Sequence, residues 1–267
     1  MMINRARWLT LLALALLLTA GVVFAGNSAE DHAQRGGSDP SEPVVNLLDN
    51  PSFEGGFHTY NPPGGHPDCP DGPCQTVQIA DDWNPWWVSH DPSDPGWIIR
   101  MPEYKPAAPF QPPPFPDRIH SGGNAQQYFT FHSTHRAGIY QRVSAQAGQT
   151  YRFKIWGHSW ASDDDNPETS NVPLFQKIGI DPNGGTNWNS SNVVWGPPHV
   201  QHDEWGLFTV CTKASANNIT VFTFSEPEWA GKHNDVYWDT AVLETYNGEC
   251  QLGMEVSPNE IDLLVES

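Results

Sequence analysis

Between residues 150 and 160 apolar and polar positions alternate: Tyr151, Phe153 and Ile155 fall on one side of an extended chain, and Arg152, Lys154, Trp156, His158 and Trp160 on the other. A period of two predicts a half-buried β-strand with one face in a core and the other wet. The run Gly138 to Val143 has the same character, and Ala145-Gln146-Ala147-Gly148-Gln149 between them suits a hairpin. Further alternating or β-branched runs stand at Tyr128 to Phe131, Leu174 to Ile180, Gly206 to Thr212, Ile219 to Phe224 and Val236 to Glu244, separated by Gly, Pro and Asn clusters. The chain offers no amphipathic helix of useful length and no internal repeat. The expected fold class is therefore all-β, a β-sandwich of two antiparallel sheets with long loop insertions.

Two segments read as those insertions. Residues 102 to 117 are rich in proline, whose missing N–H and fixed φ forbid a helix or a central strand. Residues 161 to 172 carry the acidic run Asp163-Asp164-Asp165-Asn166, which lacks the glycine and terminal Glu of an EF-hand loop and reads as solvated. From Gly26 to Pro43 the chain is polar and without apolar period, as a flexible leader would be. Before it, Arg5 and Arg7 precede the apolar run Trp8 to Ala20, and Val23-Phe24-Ala25 suits a signal peptidase. The expected organisation is a signal peptide over 1–25, a leader over 26–43, one sandwich domain over 44–250 and a tail or linker over 251–267, in a secreted or cell-surface protein.

Charge and cysteines narrow the partners. The 267-residue chain has a formal net charge of -18, and such an acidic surface repels phosphate backbones, which argues against nucleic acid. After signal cleavage no membrane span is expected. Four cysteines in an exported chain read first as two disulfides. The local pairing is Cys69 with Cys74 and Cys211 with Cys250; sequence alone leaves the other two connectivities open.

The stretch Asn46-Leu47-Leu48-Asp49-Asn50-Pro51-Ser52-Phe53-Glu54-Gly55-Gly56-Phe57 resembles the opening of jelly-roll carbohydrate-binding modules of the CenC type, which have a galactose-binding-like fold. Arg118 to Ala125, Ile139 to Val143 with Gly148 to Tyr151, and Val236 to Glu244 resemble later stretches of the same template, in the same order. The set of insertions is similar to that of uncharacterised extracellular proteins of Chloroflexi-like bacteria. The resemblance implies a jelly roll that binds polysaccharide or a cell-surface glycan. It also implies a structural Ca²⁺ where the first strand meets the last, at the matching positions Asn50, Glu54 and Asp239, whose hard oxygens suit that ion; carboxylates capping backbone N–H groups would serve those positions equally.

Sugar rings present flat C–H faces that stack on aromatic side chains, while their hydroxyls need polar partners. Eleven of the twelve tryptophans lie beyond the signal segment, and strand alternation or loop position keeps Trp156, Trp160, Trp86, Trp87 and Trp97 from all being core. Trp83 and Trp87 fall on one side of an extended chain and also suit a cap over the sandwich. His158, on the wet face between Trp156 and Trp160, can hydrogen-bond a hydroxyl. His132 with His135 and His199 with His202 have H-x-x-H spacing, which a turn would need to bring together for a transition metal.

Catalytic patterns are thin. The chain has no G-x-S-x-G, no phosphate loop and no H-E-x-x-H, although Glu226, Glu228 and Asp235 cluster in sequence near Trp229. The expected function is a non-catalytic polysaccharide-binding module. A structural or adhesive envelope module without free-sugar binding is the alternative, and a glycoside hydrolase using Glu226 or Glu228 the third reading.

Overall fold

The computed structural model describes residues 45–250 apart from 63, 71, 108–117 and 168. The expected signal peptide, leader and tail, and most of the proline-rich segment, lie outside the described residues. Thirteen strands follow in chain order: β1 Phe57–Tyr60, β2 Cys74–Ala80, β3 Asn84–Trp87, β4 Glu103–Pro106, β5 Gln126–Phe131, β6 Ala137–Ser144, β7 Thr150–Ser162, β8 Leu174–Asp181, β9 Val194–Trp195, β10 His199–Val200, β11 Gly206–Lys213, β12 Asn218–Pro227 and β13 His233–Thr245. There is no helix among the described residues.

The strands form a jelly-roll sandwich. One sheet has seven strands in the order β1-β2-β4-β5-β13-β7-β11; the other runs β10-β8-β12-β6-β3, with β9 paired to β8. Pairing is antiparallel throughout except between β2 and β4, which run parallel. The expected strands all form, but the expected hairpin does not. β6 pairs with β12 and β3 in the smaller sheet, while β7 lies between β13 and β11 in the larger. The five-residue connection is a corner between sheets: Gly148 takes φ +88°, Ala145 N–H donates to Asn217 O and Gly148 N–H to Ala214 O. Ile139 and Val143 of β6 and Tyr151, Phe153 and Ile155 of β7 thereby enter one core from opposite sides.

That core also contains Phe53, Trp83, Tyr104, Tyr128 and Trp238, all buried. A polar run crosses it: Trp238 Nε1 to Tyr128 OH at 3.1 Å, Tyr128 OH to Ser225 Oγ at 2.9 Å, Ser225 Oγ to His135 Nε2 at 2.9 Å, His135 Nδ1 to Thr130 Oγ1 at 3.1 Å and Thr130 Oγ1 to Ser133 O at 2.6 Å. Trp238 Nε1 and Ser225 Oγ both donate to Tyr128 OH, Thr130 Oγ1 donates to Ser133 O, and the buried, neutral His135 lies between Ser225 and Thr130. Both cysteine pairs close, with Cα atoms 5.3 Å apart in Cys69–Cys74 and 5.6 Å in Cys211–Cys250.

Candidate ligand-binding face

The alternation along β7 that sends Tyr151, Phe153 and Ile155 into the core turns Trp156, His158 and Trp160 to the outer face of the seven-stranded sheet. Register then decides their neighbours. Trp160 lies opposite Asp235, His158 opposite Tyr237 and Trp156 opposite Asp239 on β13, and Asp235 and Tyr237 face Phe129 and Gln127 on β5. Residues from two loops add to these strand residues: Arg118 and His120 before β5, His202 and Trp205 before β11.

The rings form a continuous track across the face. Centroid separations are 5.0 Å from Phe131 to His233, 4.2 Å from His233 to Trp160, 5.3 Å from Tyr237 to His158, 5.4 Å from His158 to Trp205, 5.6 Å from Trp205 to His120 and 4.1 Å from His120 to Trp156. Arg118 closes the remaining step, its guanidinium 4.9 Å from the rings of both Trp160 and Tyr237. At the rim Phe131 is 54% exposed, and Trp156 and Trp160 are half-buried along the track.

Under the middle of the track lies a polar cluster. Gln127 Nε2 donates to Asp235 Oδ1 at 2.7 Å and Tyr237 OH donates to the same oxygen at 3.3 Å. Arg118 Nη1 donates to Tyr237 OH. Burial raises the Asp235 pKa, and the Arg118 charge and the Gln127 bond oppose the rise. Burial, with the positive charge of Arg118 and the neighbouring His202, pushes His158 down to about 3, so its imidazole is neutral.

Of the residues singled out from sequence, the structure brings Trp156, His158 and Trp160 together, with His158 fully buried between two half-buried rings. It places the others elsewhere. Trp86 is buried on the outer side of the smaller sheet, stacked 4.5 Å from Trp188, with Nε1 donating to Thr223 O. Trp87 is in the core and donates to Asp68 Oδ2 at 2.7 Å. Trp97 is 50% exposed beside the Thr134 turn, whose N–H donates to its carbonyl. Both of the first two have satisfied indoles, a packing role that β3 gives them by pairing with β6.

The three positions matched to calcium cap backbone amides. Glu54 Oε1 accepts from Gly123 and Asn124 N–H and its Oε2 from the Asn124 side chain. Asp239 Oδ2 accepts from His120 and Ser121 N–H and its Oδ1 from Thr240 N–H; Asn50 Oδ1 accepts from Gly55 N–H. N–H donors aimed at these oxygens complement a carboxylate and oppose a cation, so this donor set does not fit a calcium ion. Among the described residues no group of three or more His, Cys, Asp or Glu side chains is placed to hold a metal. His132 is exposed while His135 is buried in the core, and only His202 of the second H-x-x-H pair belongs to the track region. The carboxylates of the hydrolase reading also separate: Glu226 faces outward from the smaller sheet, bound by Arg136 at 2.5 Å, whereas Asp235 faces outward from the larger.

No protein-family model matches the chain, and no curated protein matches it. Among solved structures it is similar to a family 61 carbohydrate-binding module in complex with β-1,4-galactotriose, at 15% identity over 76% of this chain and 99% of that one, with a TM-score of 0.44. It is also similar to a family 22 xylan-binding domain from Paenibacillus barcinonensis (8% identity, 78% and 99% covered, TM-score 0.38) and to a cyclase from Fischerella sp. TAU (11% identity, 78% and 100% covered, TM-score 0.46). The matches span binding modules and a cyclase alike, so what the outer face holds is read from its own residues.

Arg118, His120, His202, Trp205, Asp235 and Tyr237 were not singled out from sequence as ligand-binding residues. The alternation Asp235, Tyr237, Asp239 along β13 was a usable signal, because it mirrors that of β7. Loop residues carry no such periodicity.

Proposed function

We propose that the protein is a secreted or cell-surface, non-catalytic carbohydrate-binding module that holds polysaccharide on the outer face of its larger sheet. The observation that carries the reading is the pair of ring runs, Phe131 to Trp160 and Tyr237 to Trp156, that the Arg118 guanidinium joins into one track with hydrogen-bonding groups set along it. Polysaccharides alternate apolar C–H faces with hydroxyl edges, and this face supplies platforms and polar partners in the same alternation. A sugar that covers ~100 Å² of ring gains about 2 to 3 kcal/mol before ordering costs, so two or three platforms correspond to roughly micromolar to millimolar affinity. The two disulfides accord with an extracellular setting.

The test is a pull-down of the mature protein on insoluble polysaccharides, together with a glycan array, for the wild type, Trp156→Ala and Trp160→Ala. Retention of the wild type and at least about ten-fold weaker retention of either folded variant is the expected result. No retention on any glycan would overturn the reading in favour of a structural or adhesive module. Chelation with EDTA should leave both retention and thermal midpoint unchanged; a fall in either would show that a divalent cation is held after all.

A further inference from the structure

Eight buried side-chain nitrogen or oxygen atoms among the described residues have no hydrogen-bond partner, and five of them gather under the ring track: Arg118 Nε, His158 Nδ1 and Nε2, His202 Nε2 and Asp235 Oδ2. His158 has no exposed surface and Asp235 is 5% exposed. A buried polar atom left unpaired costs about 1 to 3 kcal/mol, and folded proteins hold few of them. The core network around His135 shows that this chain completes a buried polar run where only stability is at stake. The unpaired atoms concentrate instead around buried Tyr237, beneath the half-buried rings of Trp160 and Trp205.

Their chemistry selects a ligand class. Neutral His158 offers one N–H and one lone pair, and Asp235 Oδ2 accepts. A hydroxyl both donates and accepts, so neighbouring hydroxyls on one ring match this mixed set, whereas a carboxylate or sulfate only accepts. Arg118 and Asp235 offset each other's charge, so an anionic ring entering here would be a buried charge without a counter-ion.

Resting on the carbohydrate reading of the face, we propose that Asp235 and His158 form the polar floor of a site that takes one neutral sugar residue and excludes uronate and sulfated rings, reached when the Arg118 side chain leaves the face of Trp160 that it covers. Trp160 is the stacking wall, and Asp235 is the residue that sets specificity. Asp235→Asn keeps shape while replacing the unpaired acceptor geometry and removing the charge that offsets Arg118.

The experiment compares wild type, Asp235→Asn, His158→Asn and Trp160→Ala on insoluble xylan, β-1,4-galactan and cellulose as neutral probes and on polygalacturonate as the acidic one, with near-ultraviolet circular dichroism confirming the fold of each. The expected result is wild-type retention on at least one neutral probe and none on polygalacturonate. Asp235→Asn and His158→Asn should each weaken neutral retention by about ten-fold or more, and Asp235→Asn alone should gain retention on polygalacturonate. Neutral retention unchanged in both folded variants would overturn the floor and leave these atoms bonded only to buried water, while loss in Trp160→Ala would still uphold the carbohydrate reading. Equal wild-type retention on polygalacturonate would overturn the exclusion. Failure of the wild type on every probe would remove the carbohydrate reading itself.

Discussion

His135 has no surface in contact with solvent, and burial pushes its pKa down to about 3. In the unfolded chain a histidine titrates near 6.5. Below that pH the unfolded state binds a proton that the folded state refuses, so this group's effect is absent above about pH 7 and destabilises increasingly as pH falls from 6.5 toward 3, by about 1.4 kcal/mol per unit. His135→Gln keeps a donor and an acceptor but no titratable ring. The stability lost between pH 7 and pH 5, read from urea unfolding, should shrink by about 2 kcal/mol in this variant relative to wild type. In the wild type the His135 ring signals in NMR should not titrate between pH 7 and pH 4; a midpoint near 6 would contradict the buried neutral assignment. His158 shares the same direction and approximate value. Asp239 acts with the opposite sign: burial, partly countered by N–H bonds from Ser121, Thr240 and His120, raises it to about 6, so its share of stability grows as pH falls through that value toward the unfolded carboxylate's.

The pairing of β7 with β13 positions both the core and the outer face, and a glycine makes it fit. A Cβ on Gly157 would lie 2.7 Å from Phe208 Cε2 and 2.7 Å from Trp238 Cζ3, which leaves room for the Trp238 ring only while residue 157 has no side chain. Gly157→Ala should therefore destabilise by roughly 1 to 3 kcal/mol in denaturant unfolding, and an unchanged midpoint would show that these rings move freely. The alternation that makes β7 two-faced was plain in the residues, because a strand exposed on one side writes its faces as a period of two. Its partners were not, since a five-residue connection serves a hairpin and a sheet-to-sheet corner alike, and only packing of Ile139 and Phe153 into one core selects the corner. For the same reason Trp156 and Trp160 were legible as surface rings while Trp86 and Trp87 were not legible as buried ones. Arg118 and Trp205 come from loops, where no period marks a face.

Across the whole molecule, Cys211 on β11 is tied to Cys250, which follows β13, over a sequence separation of 39 residues. On the chain-entropy model a closed loop of that length stabilises by roughly 3 to 4 kcal/mol. Cys250→Ser should lose about that much in denaturant unfolding while glycan retention by the folded fraction stays intact, because neither cysteine touches the track. The two outer faces of the sandwich also differ. On the smaller sheet Trp188 and Trp195 lie against Trp86, Phe222 and Phe224 as a second packed cluster, whereas the larger sheet leaves its rings around unpaired polar atoms. The most direct test of which face binds follows the indole N–H signals of uniformly ¹⁵N-labelled protein by NMR, assigned through single Trp→Phe variants, during titration with an oligosaccharide of whichever polysaccharide retains the protein. Saturable shifts are expected at Trp156, Trp160 and Trp205 with Trp83, Trp86, Trp87, Trp188 and Trp195 unmoved; shifts confined to Trp86, Trp188 and Trp195 would put the ligand on the smaller sheet and overturn binding at the larger one.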